Sequence, residues 1–137
     1  MRRIAAVLAA GLLVVAGCSD SSGPSGEGDI NGTYTLRTVN GQNLPFPVLV
    51  VGTTYRLEVT SGSLTISGNG SYSSQISLRE TEGANVVTET QGTTGTWTRT
   101  NNAISFRDNE DGTTLSGSIS QNTITFVEDG ASLVFRK

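Results

Sequence analysis

From Ile30 to Lys137 apolar side chains recur at every second position, in short runs separated by turn-forming pairs. No pattern constrains the chain more. Successive side chains of a strand point to opposite faces, so each run buries one face and wets the other. Tyr34 and Leu36 share a face, as do Tyr55, Leu57 and Val59. Leu64 and Ile66 follow, and then Tyr72, Ser74, Ile76 and Leu78. Val87 leads a more polar run, and Trp97 sits in Gly-Thr-Trp-Thr-Arg-Thr. Ile104 with Phe106, Leu115 with Ile119, Ile124 with Phe126, and Leu133 with Phe135 complete about ten signals. No window carries apolar residues at i, i+3, i+4 and i+7 over more than two turns, so helices are not expected.

The joints agree with strands. Asn40-Gly41, Asn69-Gly70, Asn101-Asn102, Asp111-Gly112 and Asp129-Gly130 tolerate the positive φ of tight hairpins. Strands about ten residues apart and joined by hairpins predict an antiparallel meander. One apolar face per strand must then be covered, by closure into a barrel or by stacking of two sheets. The close hairpins predict an all-β, small antiparallel up-and-down β-barrel of about 8–10 short strands. The one long connection, Asn40 to Thr53, holds Pro45 and Pro47 beside Leu44, Phe46, Val48 and Leu49. It is expected to pack as an apolar lid over one barrel end.

Composition supports this and narrows the chemistry. The chain has 19 Thr, 16 Ser and 17 Gly in 137 residues, a bias towards strands and tight turns. It has no His, which removes His-based nucleophile activation, His metal ligands and His pH switching. Its one Lys is the terminal Lys137, and its one Cys is Cys18. With 12 acids against 9 bases and no basic cluster, nucleic acid is not an expected partner.

The first 29 residues differ from the rest. Met-Arg-Arg is a basic start, and Ile4 to Gly17 is a run of 14 residues without a charge. A spanning helix needs about 20 residues, whereas a signal peptide has a shorter apolar core ending in small residues. Val15-Ala16-Gly17-Cys18 resembles the lipobox of bacterial lipoproteins. The resemblance implies that Cys18 carries a diacylglyceryl group and that residues 1–17 are cleaved as a lipoprotein signal peptide. The remaining chain would then hold twelve acids against seven bases, a net charge of −5. Two or three acyl chains, at about 0.8 kcal/mol per buried CH2, anchor a protein stably. Residues 18–29, rich in Ser and Gly, form a lipidated flexible tether whose 11 residues after Cys18 reach roughly 18 Å. Ser19 after the cysteine implies outer-membrane sorting in a two-membrane cell. The expected address is therefore the cell envelope, with the chain lipid-anchored to a bacterial membrane.

Residues 30–137 resemble bacterial lipocalin-like domains. Gly32-Thr33-Tyr34 matches their opening strand, and Gly95-Thr96-Trp97 matches a second strand before a polar turn. Gly62 to Ser73 resembles the middle hairpin, and Leu133 to Lys137 the closing strand. Tyr34 stands where better-known lipocalins have Trp, and no disulfide can staple the barrel.

Catalysis needs a nucleophile, a base or a metal held close. Serine is plentiful but has no evident base, so no enzyme, cofactor or metal site is expected. The acidic run Asp108 to Gly112 fails the EF-hand spacing and reads as a solvated turn. Glu80, Glu82 and Glu89 offer carboxylates without a cleft to use them. The aromatic residues on inward positions remain. Tyr34, Tyr55, Tyr72, Trp97 and Phe106 are the candidates to line a ligand site, with the Tyr hydroxyls as polar contacts. An eight-stranded barrel can also be just filled by its own side chains. Two functions follow: a monomeric module holding a small hydrophobic ligand at the envelope, or a protein-interaction module with a filled core, such as an inhibitor or envelope scaffold.

Overall fold

The computed structural model describes residues 28–128 and 130–137, and every regular element among them is a strand. The signal peptide, Cys18 and the tether up to residue 27 lie outside the described residues. Ten strands occur in chain order: β1 (Gly32–Val39), β2 (Gln42–Asn43), β3 (Phe46–Val51), β4 (Tyr55–Ile66) and β5 (Ser71–Glu82), then β6 (Asn85–Thr100), β7 (Ala103–Asp108), β8 (Thr114–Ser120), β9 (Thr123–Glu128) and β10 (Ala131–Arg136). Strands β4 to β10 pair consecutively, and β10 pairs with β1. The ring closes where Gly32–Thr35 of β1 meets Ser63–Ile66 of β4. The result is a closed, antiparallel, up-and-down barrel of eight strands, with β2 and β3 as additions outside the ring.

Ten strands match the number of sequence signals, but the assignment differs. The runs around Tyr55 and Leu64 are one strand, β4. A β-bulge between Val59 and Ser61 shifts the inward parity from odd to even numbers, so one strand reads as two. The runs around Val87 and Trp97 are also one strand, the 16-residue β6. The two strands gained come from the connection expected to be a lid. Only its Leu44 and Phe46 pack against the core. Val48 to Val51 lie exposed on β3, with Val48 at a bulge and Leu49 to Val51 paired with the first residues of β4. The physical reason is length: the first five residues of β4 run beyond the point where β1 leaves it, and β3 satisfies their backbone groups instead.

The two barrel ends are built differently. At one end the chain enters at Ile30 and leaves at Lys137, and the turns after β4, β6 and β8 lie there. This closed end is plugged by Tyr34, Ile66, Ile104, Ile119 and Ile124, all fully buried. Tyr34 donates its hydroxyl to the Ile30 carbonyl at 2.7 Å. Trp97 donates its indole N–H to the Ser67 carbonyl at 2.9 Å, pinning the turn after β4. At the opposite, open end, β4, β5 and β6 continue past their neighbours. Asn85–Thr93 of β6 pairs with β5 but has no ladder partner on its β7 side, since β7 pairs only Gly95–Thr100 and the Asn109 N–H reaches only the Thr94 carbonyl. Strands β3, β4, β5 and β6 thus form an arm projecting from the rim.

A belt of rings separates the two ends. Tyr72 meets Phe106 edge to face at 4.8 Å, Phe106 meets Phe126 at 5.3 Å, and Phe126 meets Phe135 at 5.9 Å. The rings on β5, β7 and β9 come from alternate strands, and glycines on the strands between make room for them. A Cβ at Gly95 would lie 1.9 Å from the Arg107 carbonyl oxygen and 2.7 Å from the Tyr72 ring. A Cβ at Gly117 would lie 2.5 Å from the Thr125 carbonyl oxygen and 2.7 Å from the Phe126 ring. Each ring is the cross-strand neighbour of its glycine, Tyr72 of Gly95 and Phe126 of Gly117. Such ring pairs contribute about 0.5–1.5 kcal/mol each beyond their buried area.

Candidate functional site

Above the ring belt the barrel is hollow. A cavity of about 290 Å3 opens at the arm end. That is near the lower end of the roughly 300–1,000 Å3 typical of small-molecule sites. Its floor is the exposed side of the belt, Tyr72, Phe106, Phe126 and Phe135. Its apolar walls are Ile76, Leu115 and Leu133, each half-buried because it borders the cavity. Its rim is polar: Ser74, Thr93 and Thr113, with the carboxylates of Asp108 and Glu128.

The period-2 rule explains every one of these placements. Ser74 and Ile76 extend the inward row that starts at Tyr72. Asp108 extends the row of Ile104 and Phe106 by one step, so the last inward position of β7 is an acid. Glu128 does the same for Ile124 and Phe126 on β9. The acids therefore stand where these two inward rows reach water.

Three hydrogen bonds order the rim. Asp108 accepts the backbone N–H of Glu110 at 2.6 Å. Asp111 accepts both the N–H and the hydroxyl of Thr113, at 2.8 and 2.7 Å, and the backbone bond leads in holding its carboxyl below the usual range. Burial pushes the Tyr72 phenol above its usual value, and the carboxylates of Asp108 and Asp111 push it further the same way. The cavity thus has an apolar floor within a negative field.

The arm continues that field. On its inner face Glu80 stands opposite Leu57, Glu82 opposite Tyr55, and Glu89 opposite Leu78. Glu80 lies four residues, or about 13 Å, along β5 from Ile76. Tyr55 hydrogen-bonds to Glu80, the main cause of its raised phenol value. The outer face carries the arm's cations instead. Glu58 there, 4 % exposed, binds Arg56 at 2.6 Å and Arg79 at 2.7 Å. These bonds, led by Arg79, hold its carboxyl below the ordinary glutamate value.

Of the five aromatic candidates, the structure brings Tyr72 and Phe106 together in the cavity floor. Tyr34 and Trp97 belong to the closed end, where both polar atoms are spent on backbone carbonyls. Tyr55 sits on the arm, half-buried, outside the cavity lining. Sequence reasoning missed Asp108 and Glu128, although their i+2 spacing from inward aromatics carried the signal. It also missed Leu115 and Leu133 as lining, because an inward residue at the rim and one in the plug look alike in sequence.

Among the described residues, no group of three His, Cys, Asp or Glu is placed to hold a metal ion. No described helix is long and apolar enough to cross a membrane. No protein family, curated protein or solved structure matches the chain.

Proposed function

We propose that the chain is a non-catalytic binding module, lipid-anchored through Cys18 at the bacterial cell envelope, that holds a small apolar molecule in the open end of its barrel. One observation carries this reading: a cavity of about 290 Å3 with an aromatic floor, open at the end opposite to where the chain enters at Ile30. A tether at Ile30 would present the mouth away from the lipid surface. The test is native mass spectrometry of the protein purified from its own envelope. A retained small mass lost in Leu115→Trp, which fills the cavity, supports the reading. A chain that carries no small mass and binds no apolar dye contradicts it. The anchor has its own test: Cys18→Ser abolishes lipid labelling and leaves the precursor uncut, and palmitate incorporation into that variant would sink it.

A second reading, a protein-interaction module such as an inhibitor or envelope scaffold, is favoured by the arm. Val48, Val50, Val86 and Val87 are each more than half exposed there, on strands with unpaired outer edges. A photo-crosslinker at Val50 that captures one reproducible envelope protein supports it, and capture of none counts against it.

A further inference from the structure

We infer that the cavity selects a cationic amphiphile, an aliphatic or aromatic amine whose apolar part lies on the ring floor while its ammonium meets the carboxylates of Asp108 and Glu128. This rests on the proposal that the cavity is a ligand site and adds the chemistry of its occupant.

The first support is the lining itself. Its apolar residues fill the floor and walls, and its only two charged residues, both at the mouth, are acids. An apolar molecule entering the floor places its polar end between them.

The second support is the distribution of opposite charge. Arg56 and Arg79 are bound to Glu58 on the outer face of the arm. Arg37 and Arg136 line a groove on the outer wall beside β2. Arg107 takes the outward position between Phe106 and Asp108 and lies against the Gly112 turn. Arg99 and Lys137 stand at the closed end, where Lys137 donates to the Asn31 carbonyl. No described cation lines the cavity. Glu80, Glu82 and Glu89 meanwhile extend the same sign along the inner face of the arm. A low-dielectric site lined by one sign of charge concentrates ligands of the other sign.

The third support is size. About 290 Å3 admits an eight-carbon chain or a single substituted ring, not a diacyl lipid. A carboxylate-headed fatty acid of matching length would bring its charge against two of the same sign, which is strongly unfavourable away from bulk water.

The test uses three probes of equal length, octylammonium, octanol and octanoate, each displacing a neutral naphthyl dye from the full chain. Octylammonium is expected to displace the dye at least tenfold more tightly than octanoate, with octanol between them. The gap narrows as salt rises, because the rim is partly exposed to solvent. It collapses to within about threefold in the Asp108→Asn, Glu128→Gln double variant. Asn at 108 keeps an acceptor for the Glu110 N–H, and a circular dichroism spectrum and unfolding transition matching the parent's report that the variant is folded. Displacement by octanol with octanoate equal to or better than octylammonium overturns the charge selectivity and leaves the ligand site standing. If none of the three probes displaces bound dye, or no dye binds, the ligand site itself fails and this inference with it.

Discussion

The closed end and the open end of the barrel use the same eight strands for opposite purposes. At the closed end, Tyr34, Ile66, Ile104, Ile119 and Ile124 leave almost no accessible surface, and the tyrosine and tryptophan polar atoms are bonded to backbone carbonyls. At the open end, Ile76, Leu115 and Leu133 stay half-buried around a cavity, and the inward rows of β7 and β9 end in the acids Asp108 and Glu128. One end buys stability by burying everything that β-alternation points inward. The other leaves apolar surface uncovered, which is unfavourable unless something fills it. In this barrel, stability and binding are divided along the axis, and the aromatic belt is the boundary.

That division can be broken from either side. The largest loss is expected at the boundary. Phe106→Ala removes the ring between Tyr72 and Phe126 and should cost about 3–5 kcal/mol in chemical denaturation. It also joins the cavity to the plug, so dye affinity should fall with stability. A cost below about 1 kcal/mol would mean that the belt is no boundary.

Next come matched truncations at the two ends. Ile104→Ala, in the plug, should cost about 2–5 kcal/mol. Leu115→Ala, on the cavity wall, should cost less than about 1.5 kcal/mol and change dye binding instead. Equal costs would contradict the division. Trp97→Ala should fall between them at about 1–3 kcal/mol, because its ring is only half-buried but its N–H holds Ser67.

Glu58 sharpens the contrast within the arm. Its folded value is held below the unfolded one near 4.3, so the stability it adds is complete above that pH and lost as pH falls through the folded value. In acid, amide exchange should quicken in β3 and the first half of β4 while the plug stays protected. Glu58→Gln should remove that pH dependence. The smallest effect is expected at Val50, exposed on β3: Val50→Lys should change stability by less than about 0.5 kcal/mol.

The plug was more legible in the sequence than the cavity. Strict alternation locates Tyr34, Ile66, Ile104, Ile119 and Ile124 on inward faces without reference to any other strand. The turn at Asn101, with φ of 55°, follows from its residue type, whereas Gln121 adopts φ of 52° with no such signal. The bulge at Val59–Ser61 hid the continuity of β4, because parity is all that alternation measures. The sequence also could not say where one inward row ends and the next begins to face water. That depends on relative strand lengths, and so Asp108 read as part of a solvated turn although it stands on the cavity rim. For the same reason Val48 to Val51 read as a lid: apolar residues imply burial, but here they form an edge strand whose backbone, not its side chains, is what the fold uses.

The most direct test of this division is a methyl-resolved NMR titration of the full chain with a small neutral apolar ligand such as octanol. Shifts are expected at Ile76, Leu115 and Leu133 and nowhere among Ile66, Ile104, Ile119 and Ile124. Shifts of equal size at both ends, or none at the open end at saturating ligand, would contradict it.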